Sequence, residues 1–153
     1  MVRTILTLIL VSTVMPAPAQ PVPAEIETRV RQIYAQKYPD NYSMQKTLIE
    51  DQIESYRNMQ RWKTEPGIAQ GVFDRLRDIY ARKYPDNFSM QRTLVVDQIE
   101  CLRFLQDYNS VPNVPPDVLT NLKRRYAEKY PDNYSMQKTL IQDQVNSYLE
   151  LRR

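Results

Sequence analysis

One phrase is written three times in this chain. KYPDNYSMQKTLI runs from Lys37 to Ile49 and returns unchanged from Lys129 to Ile141, while Lys83 to Val95 reads KYPDNFSMQRTLV. Tyr34, Tyr80 and Tyr126 are each 46 residues apart, and the whole phrase keeps that spacing. The likeness begins upstream, where Val22-Pro23-Ala24-Glu25-Ile26 matches Val114-Pro115-Pro116-Asp117-Val118 at twice the period. A unit of this length predicts a helical hairpin stacked on its neighbours. A hairpin of ~40 residues cannot bury enough surface alone, so the copies must share a core.

Each copy divides at its proline. Upstream, Ile26, Val30, Ile33 and Tyr34 recur at helical spacing, as do Val72, Leu76, Ile79 and Tyr80. The third copy keeps Val118, Leu122 and Tyr126 but puts Arg125 at the isoleucine position. These helices should stop at Tyr38, Tyr84 and Tyr130, because a residue before proline is pushed out of the α region. Downstream, Asp40, Asn41 and Ser43 are all good N-cap residues for a second helix, and the three stay open. The expected hairpins are 20–62, 68–106 and 114–153, with Glu65-Pro66-Gly67 in the first joint and three prolines between Asp107 and Pro116 in the second. Gly71 falls within the apolar face of the third helix, which is expected to start late.

The copies also act as a substitution series. Position 50 holds Glu50, Val96 or Gln142, the tolerance of a solvated surface. Tyr42 becomes Phe88, so the ring is required and the hydroxyl is not. On a helical wheel Met44, Leu48, Ile49, Ile53 and Tyr56 form one apolar stripe. Gln45 and Gln52 project from its middle, as do Gln91 and Gln98, and Gln137 and Gln144. An amide there must be hydrogen-bonded. Either it bonds backbone around the Pro-Asp-Asn turn and the preceding helix's last carbonyls, or it grips an extended peptide or glycan. Tyr34, Ala35, Lys37 and Tyr38 are unchanged too, and they span the circumference of one turn, which is expected to be enclosed. Tyr38, Tyr84 and Tyr130 join the six glutamines as candidate binding residues, since tyrosine combines an apolar ring with a polar tip.

The ends set the expected address. Ile5 to Met15 is apolar, Arg3 precedes it, and Ala17-Pro18-Ala19 offers a small-x-small site. Residues 1–19 are therefore expected to be a cleaved signal peptide. The run is too short to span a bilayer, so no membrane span is expected in the mature chain. The expected localisation is periplasmic or secreted. The net charge of +3 is interspersed along the chain, without the concentrated basic face that nucleic-acid binding requires. The single cysteine, Cys101, sits where the other copies have Ser55 and Ser147, so a tight small-residue position is expected, with an intermolecular disulfide as the alternative.

Catalytic patterns are scarce. The chain has no histidine, which removes the commonest general base and zinc ligand. The recurring carboxylates are Asp40, Asp86 and Asp132, and Asp51, Asp97 and Asp143. Three equivalent active sites in one small domain are a poor expectation, whereas caps and ion pairs are copied freely. The loops also lack the ligand order of a helix–loop–helix calcium site. No cofactor or metal is expected.

The Pro-Asp-Asn turn into a helix resembles the turn that joins tetratricopeptide repeats. The period departs from that family's, which is about 34 residues, and its small-residue positions are missing. HEAT-type repeats match in length alone. The expectation is thus an all-α exported protein of three stacked hairpins, non-catalytic, holding a protein, peptide or envelope polymer. The alternatives are a small Asp/Glu-dependent hydrolase or lyase, and a self-assembling structural envelope protein with Cys101 or exposed tyrosines at homo-oligomer contacts.

Overall fold

The computed structural model describes residues 21–62 and 66–152, which form six α-helices. They are α1 (Ala24–Lys37), α2 (Tyr42–Arg61), α3 (Gln70–Lys83), α4 (Phe88–Asp107), α5 (Pro116–Lys129) and α6 (Tyr134–Glu150). No strand occurs among the described residues. The expected leader, residues 1–19, lies outside them. No helix among them is long and apolar enough to cross a membrane.

The helix ends follow from local chemistry. Pro23 and Pro115 flank the starts of α1 and α5, where a missing N–H goes unused. Tyr38, Tyr84 and Tyr130 leave helical geometry at ψ 62°, 63° and 60°, as a following proline demands. The next aspartate enters the left-handed region, with φ of 64° at Asp40, 61° at Asp86 and 59° at Asp132. The N–H of Asn41 then donates to Tyr38 O at 3.2 Å, closing a turn with proline second and positive φ third. Asn87 and Asn133 repeat it on Tyr84 and Tyr130.

Of the three cap candidates, asparagine is the one used. The side chains of Asn41, Asn87 and Asn133 accept from the N–H of Met44, Met90 and Met136 at 3.1, 3.2 and 3.2 Å. The aspartate is excluded by its position in the turn, and the serine by lying inside the helix.

Gly71 does not delay α3. That helix begins at Gln70, in register with Ala24 and Pro116, and Gly71 is exposed in its first turn. A glycine there weakens the helix less than one in the interior, because first-turn N–H groups have no intrahelical partner to lose. Gly67 is the glycine whose conformation matters, at φ 80° in the joint.

Helices pack as the pairs α1–α2, α3–α4 and α5–α6, while α2, α4 and α6 lie side by side. The core is divided into three clusters that borrow residues across those pairs. Phe88 of α4 completes the cluster of Val30, Ile49, Ile53 and Met59. Trp62 and Tyr134 pack onto Ile68, Phe73, Leu76, Val95 and Ile99 from either side, with Trp62 and Phe73 ring centres 5.2 Å apart. Leu105 of α4 belongs with Val114, Leu119, Ile141 and Val145. Each such side chain contributes about 1.5–3 kcal/mol by leaving water, so every helix pair depends on its neighbour.

Candidate functional site

The glutamines divide into two sets by partner. Gln45, Gln91 and Gln137 each donate their amide to the carbonyl of Tyr38, Tyr84 and Tyr130, all at 2.7 Å. That oxygen already accepts the asparagine N–H of the turn, so both of its lone pairs are used. The three tyrosines and three glutamines of the candidate set are therefore brought together in pairs, across every corner.

The second set reaches between helix pairs. Gln52, 2% exposed, accepts from Ser89 N–H at 3.1 Å and donates to Ser89 Oγ at 2.9 Å. Gln98, 3% exposed, accepts from the N–H of Tyr134 at 2.6 Å and of Ser135 at 3.3 Å, and donates to Ser135 Oγ at 3.0 Å. Each supplies a partner for N–H groups that the first turn of a helix leaves unpaired. Gln144, the third member, is exposed on α6.

Charge follows the same junctions. Arg29 pairs with Asp86 at 2.6 Å and Arg75 with Asp132 at 3.0 Å, tying α1 and α3 to the next corner. Exposed pairs of this kind contribute ~0–1 kcal/mol each. Asp51 and Asp97 lie close enough to Tyr34 and Tyr80 to reinforce a rise in those hydroxyl pKa values that burial begins. Cys101 is buried, and burial first and Asp97 second raise its thiol pKa. An intermolecular disulfide would need α4 to be uncovered.

The turn carrying Tyr34, Ala35, Lys37 and Tyr38 is open where enclosure was expected. Ala35 and Lys37 are exposed and both tyrosines half-buried, and the same holds in the other two copies. The reason is that α1, α3 and α5 pack against their own partner helices and leave their outer sides to solvent. On that open side Lys37, Lys83 and Lys129 lie over the rings of Tyr38, Tyr84 and Tyr130, at 5.5, 5.5 and 5.2 Å from the ring centres. Tyr34 stacks on Tyr38 and Tyr126 on Tyr130, both with centres 6.4 Å apart.

Met44 leaves the apolar stripe predicted for it. Met44, Met90 and Met136 are 42%, 41% and 41% exposed. They occupy the first turn of their helices at the margin of the buried arc, while the next residue, Gln45, Gln91 or Gln137, is the one that faces the preceding helix. The sequence reading missed them as surface residues. The available signal was an apolar residue unchanged in every copy at a helix start. Exposed methionine is a soft, adaptable contact surface.

A shallow cleft of about 280 Å³ lies between α2 and α4, lined among others by Trp62, Arg92, Glu100 and Arg103. One period on, Phe104 stands where α2 has Asn58, under Lys138 at 4.7 Å and stacked on Tyr108 at 5.0 Å. Among the described residues no group of three or more Cys, Asp or Glu side chains is arranged to hold a metal ion. No family model, curated protein or solved structure matches the chain significantly.

Proposed function

We propose that residues 20–62, 68–106 and 114–153 are three tandem hairpins of period 46, forming an exported, non-catalytic scaffold. It works in a periplasm or outside the cell, after loss of a signal peptide at 1–19. Its role is to hold a protein, peptide or envelope polymer in extended form along the corners. The observation that carries this reading is the threefold recurrence of one exposed constellation: lysine over a tyrosine ring at the end of one helix, methionine at the start of the next.

The start of α4 docks beside Gln52, nine residues on from Ser43, so it lies about 14 Å along α2 and about 8–10 Å across from it, and successive corners recur at roughly 16 Å. An extended chain covers that in about five residues. The tyrosine and methionine offer apolar contact, and the lysine favours an acidic group on the partner. Three weak sites in a row bind a repetitive partner tightly through avidity. Gln45, Gln91, Gln137, Gln52 and Gln98 position this surface from beneath.

Affinity capture from envelope extract tests it, comparing wild type with Lys37→Gln/Lys83→Gln/Lys129→Gln and with Tyr38→Ala/Tyr84→Ala/Tyr130→Ala. The lysine variant changes only exposed side chains and serves as the folded control. Loss of the same captured species in both variants supports the corner. Equal capture by all three proteins overturns it.

A second reading, a small hydrolase or lyase, is favoured by the α2–α4 cleft, which holds Glu100. Only one carboxylate lines it, whereas acid–base hydrolysis commonly uses two. An activity screen of wild type against Glu100→Gln decides this reading.

A further inference from the structure

The two internal junctions are copies of one contact, and each has a donor face and a receiver face. The donor face is the middle of α2 or α4. It presents a glutamine (Gln52, Gln98), a small residue one turn on (Ser55, Cys101) and a larger apolar residue beside it (Tyr56, Leu102), all buried or half-buried. The receiver face is the start of the next second helix, with an aromatic ring (Phe88, Tyr134) followed by a serine (Ser89, Ser135). Tyr56 meets Phe88 edge-on with centres 5.1 Å apart, and Tyr134 and Leu102 both pack against the second core cluster.

Each face occurs once more in this chain, and no described residue covers it. On α6 Gln144 and Ser147 are exposed, although their counterparts Gln52, Gln98, Ser55 and Cys101 are buried. Tyr148 stands at the position of Tyr56 and Leu102, with the Arg152 guanidinium 4.6 Å above its ring. At the other end Tyr42 is 73% exposed, against 7% for Phe88, and Ser43 is exposed beside it. The hydroxyl of Tyr42 is no obstacle, because Tyr134 fills the same place in a formed junction and directs its own hydroxyl toward Asp132 Oδ1 at 3.4 Å.

We propose that this chain associates head to tail with a second copy of itself, the α6 face of one copy receiving the α2 start of the next. Gln144 would bond Ser43 as Gln52 bonds Ser89, and Tyr148 would meet Tyr42 as Tyr56 meets Phe88. The ion pair of the internal junctions becomes an amide–carboxylate contact, since Asn121 stands where Arg29 and Arg75 do and would face Asp40. Arg152 has to leave the face of Tyr148 for the rings to close. The contact joins two different faces, so it does not close on itself and growth is linear. Each added copy extends the row of corners.

Sedimentation velocity over a concentration series up to the millimolar range tests this, with two exposed-site variants. Tyr42→Glu blocks the receiver face and Ser147→Arg the donor face. Neither position contributes to the core, and unchanged melting confirms that both variants fold. Wild type is expected to grow past dimer as concentration rises, and each variant alone to stay monomeric. Their equimolar mixture should form a dimer and nothing larger, because one good face of each kind remains. A monomeric wild type overturns the proposal. So does wild-type assembly that both variants reproduce, or a mixture that fails to pair.

Discussion

Gln98 accepts a hydrogen bond of 2.6 Å from the backbone N–H of Tyr134, the first residue of α6, while Gln98 itself lies in the middle of α4. A side chain of one helix thus serves as a partner for the start of another. Gln52 does the same for Ser89. Gln52 and Gln98 thereby tie α2 to α4 and α4 to α6 at the same register.

Truncating these amides should separate them by position. Gln52→Ala leaves the part-buried N–H of Ser89 without a partner, and Gln98→Ala those of Tyr134 and Ser135, a loss of about 1–3 kcal/mol each. Gln144→Ala removes an exposed side chain and should change stability by less than about 0.5 kcal/mol. Urea unfolding of the three variants at low protein concentration checks the order. Equal losses at all three sites would show that the junction bonds contribute nothing.

The corners make a different demand. Asp40 is exposed with φ 64°, where a side chain costs roughly 1–2 kcal/mol of backbone strain and a β-branched one most. Asp40→Gly should leave the melting temperature unchanged or raised, and Asp40→Val should lower it. Asn41→Ala should cost about 1 kcal/mol by removing the cap of α2. Thermal melts read all three.

Much of this was legible from residues alone. The stop at Tyr38 follows from Pro39, and the hairpin from the brevity of the turn. The roles of Gln45 and Gln52 were narrowed to two without being decided, because a sequence does not show which helix start faces the amide. Choosing Asn41 over Asp40 and Ser43 needed the backbone path, since all three side chains can cap. Met44 was misplaced because a helical wheel reports periodicity and does not mark where the buried arc stops, which is at Gln45 on this turn. Gly71 was over-read, because glycine weakens a helix interior more than its first turn.

Alkaline pH should loosen the fold through its half-buried tyrosines. The hydroxyls of Tyr34, Tyr80 and Tyr134 are held above the ordinary value of 10.0, first by burial and then by Asp51, Asp97 and Asp132 respectively. A raised folded-state pKa leaves stability intact below pH 10.0 and removes it as pH climbs through the folded value. Tyrosinate absorbance should therefore show a late-titrating class whose ionisation coincides with loss of helical circular dichroism. Simple titration of all tyrosines together near the ordinary value would contradict this.

Cys101 should resist modification. Its thiol is buried with a raised pKa, so little thiolate is available at neutral pH. A colorimetric disulfide reagent should react slowly with native protein and at once in urea. Fast reaction under native conditions would show that α4 is uncovered far more often than its packing allows.

The helix pairs complete one another's interiors, and amide hydrogen exchange on residues 66–107, excised and purified, tests this most directly. Without Trp62, Tyr134 and Gln52 from its neighbours, the piece is expected to exchange nearly as fast as an unfolded chain, while the same amides are protected in the full protein. Protection of the isolated piece equal to that in the full protein would contradict a shared core.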